Sequence, residues 1–208
     1  MNFFGHAAVA GRAGGDAAFV LGAMAPDLLP LCGAIVDQPT SAAVLDGQAQ
    51  HHRVDAVFHA NPTFLRLQGW TSRTLIERGV ARGSARGAAH VGAELLLDGV
   101  LAADAEARRA YAEALAEADG ARAPFTWRDR ASERQWVTLI ARLRQGTIPL
   151  AYRDCDFVAD RVIGALRTRP RLAVCDADQR VVRAFLPALR ARVEEEADAL
   201  LAAVVAAY

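Results

Sequence analysis

The chain has 208 residues and a mass of 22.2 kDa, the size of one ordinary domain or at most two small ones. Hydrophobic residues make up 53% of it, enough for a sizeable core, which excludes an intrinsically disordered chain. The 24 basic residues balance the 24 acidic ones, so the overall charge favours neither nucleic acid nor a membrane surface as a partner.

The first apolar segment, residues 17–36, is about long enough to span a bilayer. It contains Asp27, however, and a carboxylate is costly in lipid. We therefore expect a buried segment of a soluble protein, with neither a signal peptide nor an anchor. Cys32, Cys155 and Cys175 are odd in number and widely spaced, which is typical of free thiols in a reducing compartment. The expected location is the cytoplasm.

Helix signals dominate the chain, and strand signals are nearly absent. Ser41 can cap a helix that runs to about residue 60. Asn61 is a second N-cap, and Pro62 suits the first position of the helix that follows, toward Glu77. The Arg-Gly repeats at 78–87 bring glycines that disfavour a helix interior. We predict a loop there.

The rest of the chain is predicted to be helical as well. The helix after the Arg-Gly loop starts at Ser84 and continues to Leu101. Later boundaries are a cap at Asp104, a helix end at Gly120, breaks at Pro124 and Pro149, a helix from Ala151 to Arg169-Pro170, and a last helix to Tyr208. The prediction is an all-α fold, a compact single-domain helical bundle over residues 1–208 with about seven to nine helices.

All five histidines lie in the first 90 residues, and acidic residues stand at helical spacing beside them. Two trios repeat every four positions, so each trio lines one face of a helix. The trios are His51, Asp55 and His59, and His90, Glu94 and Asp98. Imidazole and carboxylate are ligands of divalent Zn, Mn and Fe, and helical bundles build metal sites from facing helices. We therefore expect the two trios to face each other.

A whole trio cannot bind one ion, because positions i and i+8 of a helix are about 12 Å apart. Either two metals lie between the helices, or the outer residues contact the substrate and the residues that bind the metal. Asp27 and His6 are further candidate ligands, since apolar segments carry both inward. The alternatives are a surface ion pair for each His/acid pair and a helix cap for Asp27.

Several strings of the chain, in the same order, resemble the acyl-carrier-protein phosphodiesterase family. The amino-terminal strings are residues 1–3 with His6, the segment ending in Asp27, the His-His-Arg-Val-Asp of residues 51–55 with Pro62, and the pair Glu94 and Asp98. The most specific match is the Tyr-Arg-Asp-Cys-Asp-Phe of residues 152–157, followed by Gly164 and the Arg-Pro-Arg-Leu of residues 169–172. The resemblance covers nearly the whole chain, to about Leu172.

The resemblance implies an HD-domain-like, all-helical metallohydrolase in which His and Asp hold a divalent metal, commonly manganese. It implies hydrolysis of the phosphodiester that joins 4′-phosphopantetheine to a serine of acyl carrier protein. The positions that match the family are His6, Asp27, His51, Arg53, Asp55 and Asp98, with Glu94 where the family tends to have Asp.

The chain departs from the family at three positions. Gly99 stands where the family has a histidine after the carboxylate, and His59 stands where it often has Asp. His90 matches no position of the family. We expect a rearranged site in which His59 or His90 replaces the lost imidazole.

The predicted function is that of a metal-dependent phosphodiesterase with manganese as its cofactor, or with zinc or iron in its place. The predicted metal ligands are His6, Asp27, His51, His52, Asp55, His59, His90 and Asp98. Arg53 would neutralise charge on the phosphoryl oxygens, and Glu94 would take the proton from water. The alternatives are a phosphomonoesterase or phospholipase on a small or lipid substrate, and an inactive helical binding module, which the missing histidine favours.

Four arginines follow residues 152–157 in a chain of zero net charge: Arg161, Arg167, Arg169 and Arg171. Such a local basic cluster would steer an acidic acyl carrier protein to the site. The alternative is a solvated helix end, where arginines interact favourably with the helix dipole.

Overall fold

The computed structural model describes residues 1–118, 124–167, 169 and 171–206. Within these ranges the all-α prediction is confirmed, with nine α-helices and a small two-stranded sheet. The elements are α1 (Phe3–Arg12), α2 (Ala17–Cys32), β1 (Val36–Pro39), α3 (Ala42–Ala60), α4 (Pro62–Glu77), α5 (Arg82–Leu101), α6 (Ala105–Glu117), β2 (Phe125–Trp127), α7 (Arg130–Gln145), a 3₁₀ helix (Leu150–Arg153), α8 (Cys155–Arg167) and α9 (Asp176–Val205). Likeness to HD-domain proteins stays a prediction.

The predicted caps at Asn61 and Asp104 are confirmed. The side chain of Asn61 accepts a hydrogen bond from the Thr63 backbone N–H at 2.8 Å, and Asp104 accepts one from Glu106 at 2.9 Å. Each cap satisfies a backbone donor that the first helical turn leaves unpaired. The other predicted boundaries at Gly120, Pro170 and Tyr208 lie outside the described residues.

The Arg-Gly repeats are more helical than predicted, since α5 begins at Arg82 rather than Ser84. A Cβ atom added at Gly83 would lie 2.3 Å from the carbonyl oxygen of Arg171. The same addition at Gly87 would lie 2.6 Å from a methyl carbon of Leu166. The backbone contact requires glycine at residue 83, and at residue 87 a side chain would displace Leu166. This packing overrides the low helix propensity of glycine.

Two further boundaries differ from the sequence prediction. Val36–Pro39 and Phe125–Trp127 pair as antiparallel strands, each too short to show an alternating pattern in the sequence. The helix expected from Ala151 begins at Cys155, after the 3₁₀ helix. Its start is fixed by Asp154, whose side chain accepts a hydrogen bond from the Asp156 backbone N–H at 2.8 Å.

The described residues gather into two compact units. Unit 1 is drawn from Met1–Ala56 and Leu101–Pro149, and unit 2 from Val57–Val100 and Leu150–Ala206. Both α3 and α5 contribute residues to each unit. The single domain expected from the sequence stays a prediction. In the described ranges, no helix combines the length and the apolar character needed to cross a membrane.

The core of unit 1 is built around α1, in which every residue from Phe3 to Ala10 is buried. This helix contacts α2 and α6, and Tyr111 of α6 packs edge-on against Phe4 at a centroid distance of 5.5 Å. In unit 2, α4 and α8 pack on α9, and the Phe58 and Phe64 rings lie 4.5 Å apart. Each unit therefore encloses apolar side chains of its own.

Candidate metal centres

Three candidate ligands converge in unit 1, one from each of its first three helices. They are His6 of α1, Asp27 of α2 and His51 of α3. One ligand atom of each residue lies within 4.8 Å of the ligand atoms of the other two. The relative exposure of His6 is 1% and that of His51 is 4%, while Asp27 is half-buried. We call these three residues the buried group.

A close helix crossing holds this group together. A Cβ atom added at Gly47 of α3 would lie 2.1 Å from the carbonyl oxygen of Phe19 in α2. One added at Gly22 would lie 2.3 Å from the carbonyl oxygen of Val44. The backbones of α2 and α3 therefore touch, which only glycine permits at these two positions. His51 follows Gly47 by one helical turn, and the same crossing brings it against α2.

His51 is oriented by the backbone of α2. Its Nδ1 lies 2.9 Å from the carbonyl oxygen of Ala23, a pure acceptor, so Nδ1 carries the proton and donates it. The lone pair is left on Nε2, which lies 3.7 Å from Oδ2 of Asp55. Burial lowers the pKa of His51, while the bond to Ala23 raises it in part, and the neutral ring is favoured. Metal-binding histidines commonly have this arrangement.

His6 and Asp55 form a second oriented pair. Nε2 of His6 lies 3.1 Å from Oδ1 of Asp55, and the amino group of Met1 donates to the same oxygen at 2.7 Å. Burial lowers the pKa of His6 to about 4, although the bond to Asp55 opposes it. Burial raises the pKa of Asp55, but the hydrogen bond from His6 and the positive amine outweigh it, so that pKa lies below its usual range. A neutral ring thus donates to a carboxylate.

The donor atoms of the buried group suit a divalent ion. Donation from Nε2 leaves the lone pair of His6 on Nδ1, a buried atom with no hydrogen-bond partner among the described residues. Bonds of about 2.1 Å place neighbouring ligands of one ion about 3.0 to 3.4 Å apart. The three ligand atoms, which lie within 4.8 Å of one another, would therefore move closer together on binding the ion. Two neutral imidazoles and one carboxylate fit Mn, Zn or Fe.

A second group of candidate ligands lies in unit 2, and we call it the His-Glu-His group. It consists of His59 at the end of α3 and His90 and Glu94 of α5. Oε1 of Glu94 lies 2.9 Å from Nε2 of His59 and 3.2 Å from Nε2 of His90. Burial raises the pKa of Glu94, but its hydrogen bonds with both imidazoles lower that pKa by more. The net pKa lies below its usual range, so the carboxyl is ionised.

The structure thus divides each sequence trio. His51 and Asp55 lie with His6 and Asp27, whereas His59 of the same trio lies with His90 and Glu94. Among the described residues, His52, Arg53 and Asp98 belong to neither group. Their roles stay predictions.

The three residues outside the groups differ in burial. His52 and Arg53 are exposed on α3, and Arg53 is turned by about 200° around the helix from Asp55. Asp98 lies one turn after Glu94 on α5 and is 1% exposed.

The packing around Gly99 leaves no room for a side chain. A Cβ atom added there would lie 2.4 Å from the carbonyl oxygen of Tyr152 and 2.9 Å from its carbonyl carbon. The 3₁₀ helix therefore occupies the space that any side chain at residue 99 would need. The packing of unit 2 therefore excludes a histidine at residue 99.

The sequence analysis did not identify Gln68, whose side-chain nitrogen lies 2.9 Å from Nδ1 of His90. No spacing in the sequence links these two residues, which lie on different helices. The sequence analysis also missed the crossing of α2 and α3 at Gly22 and Gly47. Glycines inside a predicted helix were the available signal, because they often mark a close backbone approach.

The four arginines of the predicted basic cluster are all exposed. Arg167 is the last residue of α8, and the guanidinium of Arg161 lies 4.9 Å from the centroid of the Phe157 ring. None of the four forms an ion pair among those found in the described residues.

No family model matches this chain, and neither do any of the curated proteins or solved structures compared with it.

Proposed function

We propose that this chain is a metal-dependent phosphodiesterase. Its divalent ion, for which manganese is the first candidate, is held by His6, Asp27 and His51 beside Asp55. The observation that carries the proposal is the convergence of two buried neutral imidazoles and a carboxylate within 4.8 Å of one another. Burying such polar groups costs free energy, which ligation would recover. The resemblance described above to a metallohydrolase family supports the same conclusion.

The residues around the ion would have different roles in the reaction. An ion bound there makes water a better nucleophile and polarises a phosphoryl oxygen. Ala23 fixes the tautomer of His51, and Asp55 fixes that of His6. The side chain of Asp55 is 30% exposed and ionised, so water and substrate can reach it.

The substrate class follows from the resemblance and from the basic cluster. We assign to the chain the phosphodiester of holo-acyl carrier protein, an acidic partner that Arg161, Arg167, Arg169 and Arg171 would attract. The three cysteines are free thiols, which fits the reducing cytoplasm as the place of this reaction.

The direct test is an assay of metal-stripped protein with and without added Mn²⁺. The substrates are holo-acyl carrier protein, bis(p-nitrophenyl) phosphate as a small diester, and p-nitrophenyl phosphate as a monoester. We expect Mn²⁺ to restore cleavage of both diesters and release of phosphopantetheine. Cleavage of the monoester alone would indicate a phosphomonoesterase, and no cleavage of any substrate would indicate a non-catalytic module.

Reversing the charge of the basic cluster separates docking from chemistry. We expect Arg167→Glu/Arg171→Glu to slow the turnover of holo-acyl carrier protein, with most of the loss disappearing at high salt because exposed charges are screened there. Cleavage of bis(p-nitrophenyl) phosphate should stay unchanged. A matched control is Arg134→Glu/Arg142→Glu, which makes the same charge change on exposed residues of α7. Equal effects on both substrates, or none, would refute this docking surface.

A further inference from the structure

The His-Glu-His group of unit 2 has no part in the reaction proposed above. Its carboxylate is mostly buried, with 13% of the Glu94 side chain exposed, and one of its oxygens is within hydrogen-bond distance of both imidazoles. Burying a carboxylate is costly, and ligation of a cation by it recovers part of that cost.

Two of the three distances within the group match those between neighbouring ligands of one ion, and the third is below 4.8 Å. Bonds of about 2.1 Å place adjacent ligands about 3.0 to 3.4 Å apart in octahedral or tetrahedral geometry. Oε1 of Glu94 is 2.9 Å from Nε2 of His59 and 3.2 Å from Nε2 of His90. The two imidazole rings are nearly parallel, with their centroids 5.0 Å apart. All three donors could therefore meet one ion with only small movements.

The surroundings of the group hold its rings in place. The Phe64 ring packs against both imidazoles, at centroid distances of 5.6 Å from His59 and 5.5 Å from His90. Phe58 packs against His59 on another side, at 5.5 Å. Gln68 lies within hydrogen-bond distance of the outer nitrogen of His90, the position at which metal-binding histidines have a polar partner.

The remaining coordination positions of an ion held by this group would face solvent, because 35% of the His59 side chain and 38% of the His90 side chain are exposed. A set of two histidines and one carboxylate with open positions is typical of catalytic zinc and of non-haem iron sites.

We propose that His59, His90 and Glu94 hold a second divalent cation of the zinc, iron and cobalt class, in an open site that lies within unit 2. In this site Glu94 is a ligand, which replaces the role in proton transfer expected from the sequence. The site does not depend on the proposed function, because it shares no residue with the buried group.

Gln68 determines which ring nitrogen of His90 carries the proton. Its amide nitrogen donates to Nδ1 in the structure, which leaves the proton of His90 on Nε2. Metal binding at Nε2 requires this proton on Nδ1, where the amide oxygen of Gln68 accepts it after a 180° turn of the amide. The two amide ends are interchangeable in shape, so the turn needs no other movement.

The test is a titration of metal-stripped protein with Co²⁺, read by its visible d–d absorption and by equilibrium dialysis. We expect two ions per wild-type chain and one ion in Glu94→Gln, an isosteric change that can still bond both imidazoles. His59→Gln should lose the same ion. Gln68→Leu should keep it with an affinity lower by about 10- to 100-fold. Glu77→Gln, a change at the exposed end of α4, is the matched control and should keep both ions.

The same titrations test the two proposed metal sites independently. Loss of one ion in Asp27→Asn and of the other in Glu94→Gln would support both sites. A wild-type chain whose only ion is lost in Asp27→Asn, and kept in Glu94→Gln and His59→Gln, would overturn the second site. A single ion lost only in Glu94→Gln and His59→Gln would support the second site and refute the proposed catalytic centre.

Discussion

Asp27→Asn should abolish hydrolysis and remove the ion of the buried group, and Asp55→Asn should weaken both hydrolysis and metal binding. Asn matches Asp in shape but lacks the negative charge that attracts the cation. Loss of an outer partner of a metal-binding residue typically costs about 10- to 100-fold in affinity or activity, which is the loss expected for Asp55, the partner of His6. Asp27 is a proposed ligand, so its loss should cost more than about 100-fold. For both variants, metal affinity is measured with Mn²⁺ and hydrolysis with bis(p-nitrophenyl) phosphate.

The fold should survive these two substitutions. Asp27 is half-buried and the side chain of Asp55 is 30% exposed, so neither change opens a cavity in the core. Far-ultraviolet circular dichroism of the metal-free variants should match that of the wild type. Asp46→Asn is the matched control, because Asp46 is exposed on the same helix as Asp55 and lies outside both groups. Full activity in both site variants would refute the assignment.

Gly47→Ala should be the most damaging single-methyl substitution in unit 1. The added Cβ would lie 2.1 Å from the carbonyl oxygen of Phe19 and 2.8 Å from the backbone nitrogen of Ala23. Backbone atoms cannot move aside as a flexible side chain can, so α2 and α3 must separate. Overpacking costs about 1–3 kcal/mol and here at least the upper value, which corresponds to a fall in Tm of about 6–12 °C.

This separation should weaken metal binding as well, because the bond of His51 to Ala23 spans the two helices. Thermal unfolding and Mn²⁺ affinity are measured on the same sample. Gly164→Ala is the matched control: no atom lies within 4 Å of its added Cβ, and the residue is exposed within α8. It should stabilise the protein by about 0.5–1 kcal/mol. A Gly47→Ala variant as stable as the wild type would contradict the tight crossing.

Local signals were enough to predict most of the helices. A side chain that caps a helix acts on a backbone donor two or three residues away, so Asn61 and Asp104 marked their helix starts in the sequence. Gly83 and Gly87 misled the prediction because the segments that require them are far along the chain, at Arg171 and Leu166. The short strands went undetected for a similar reason, since Val36 pairs with Trp127.

The candidate site could be predicted only in part. Helical spacing identified His51, Asp55, His59, His90 and Glu94 as groups of ligand type on shared helix faces. It did not indicate that His51 joins His6 and Asp27 while His59 joins Glu94, since that grouping depends on which helices meet. The crossing at Gly22 and Gly47 decides it for His51.

The central claim is that His6, Asp27 and His51 bind one divalent ion. A crystal structure of the protein grown with Mn²⁺, with data collected on both sides of the manganese absorption edge, tests it most directly. We expect an anomalous difference peak about 2.1–2.2 Å from one nitrogen of each histidine and from a carboxylate oxygen of Asp27. An ordered crystal in saturating Mn²⁺ with no peak among these three residues would contradict the account.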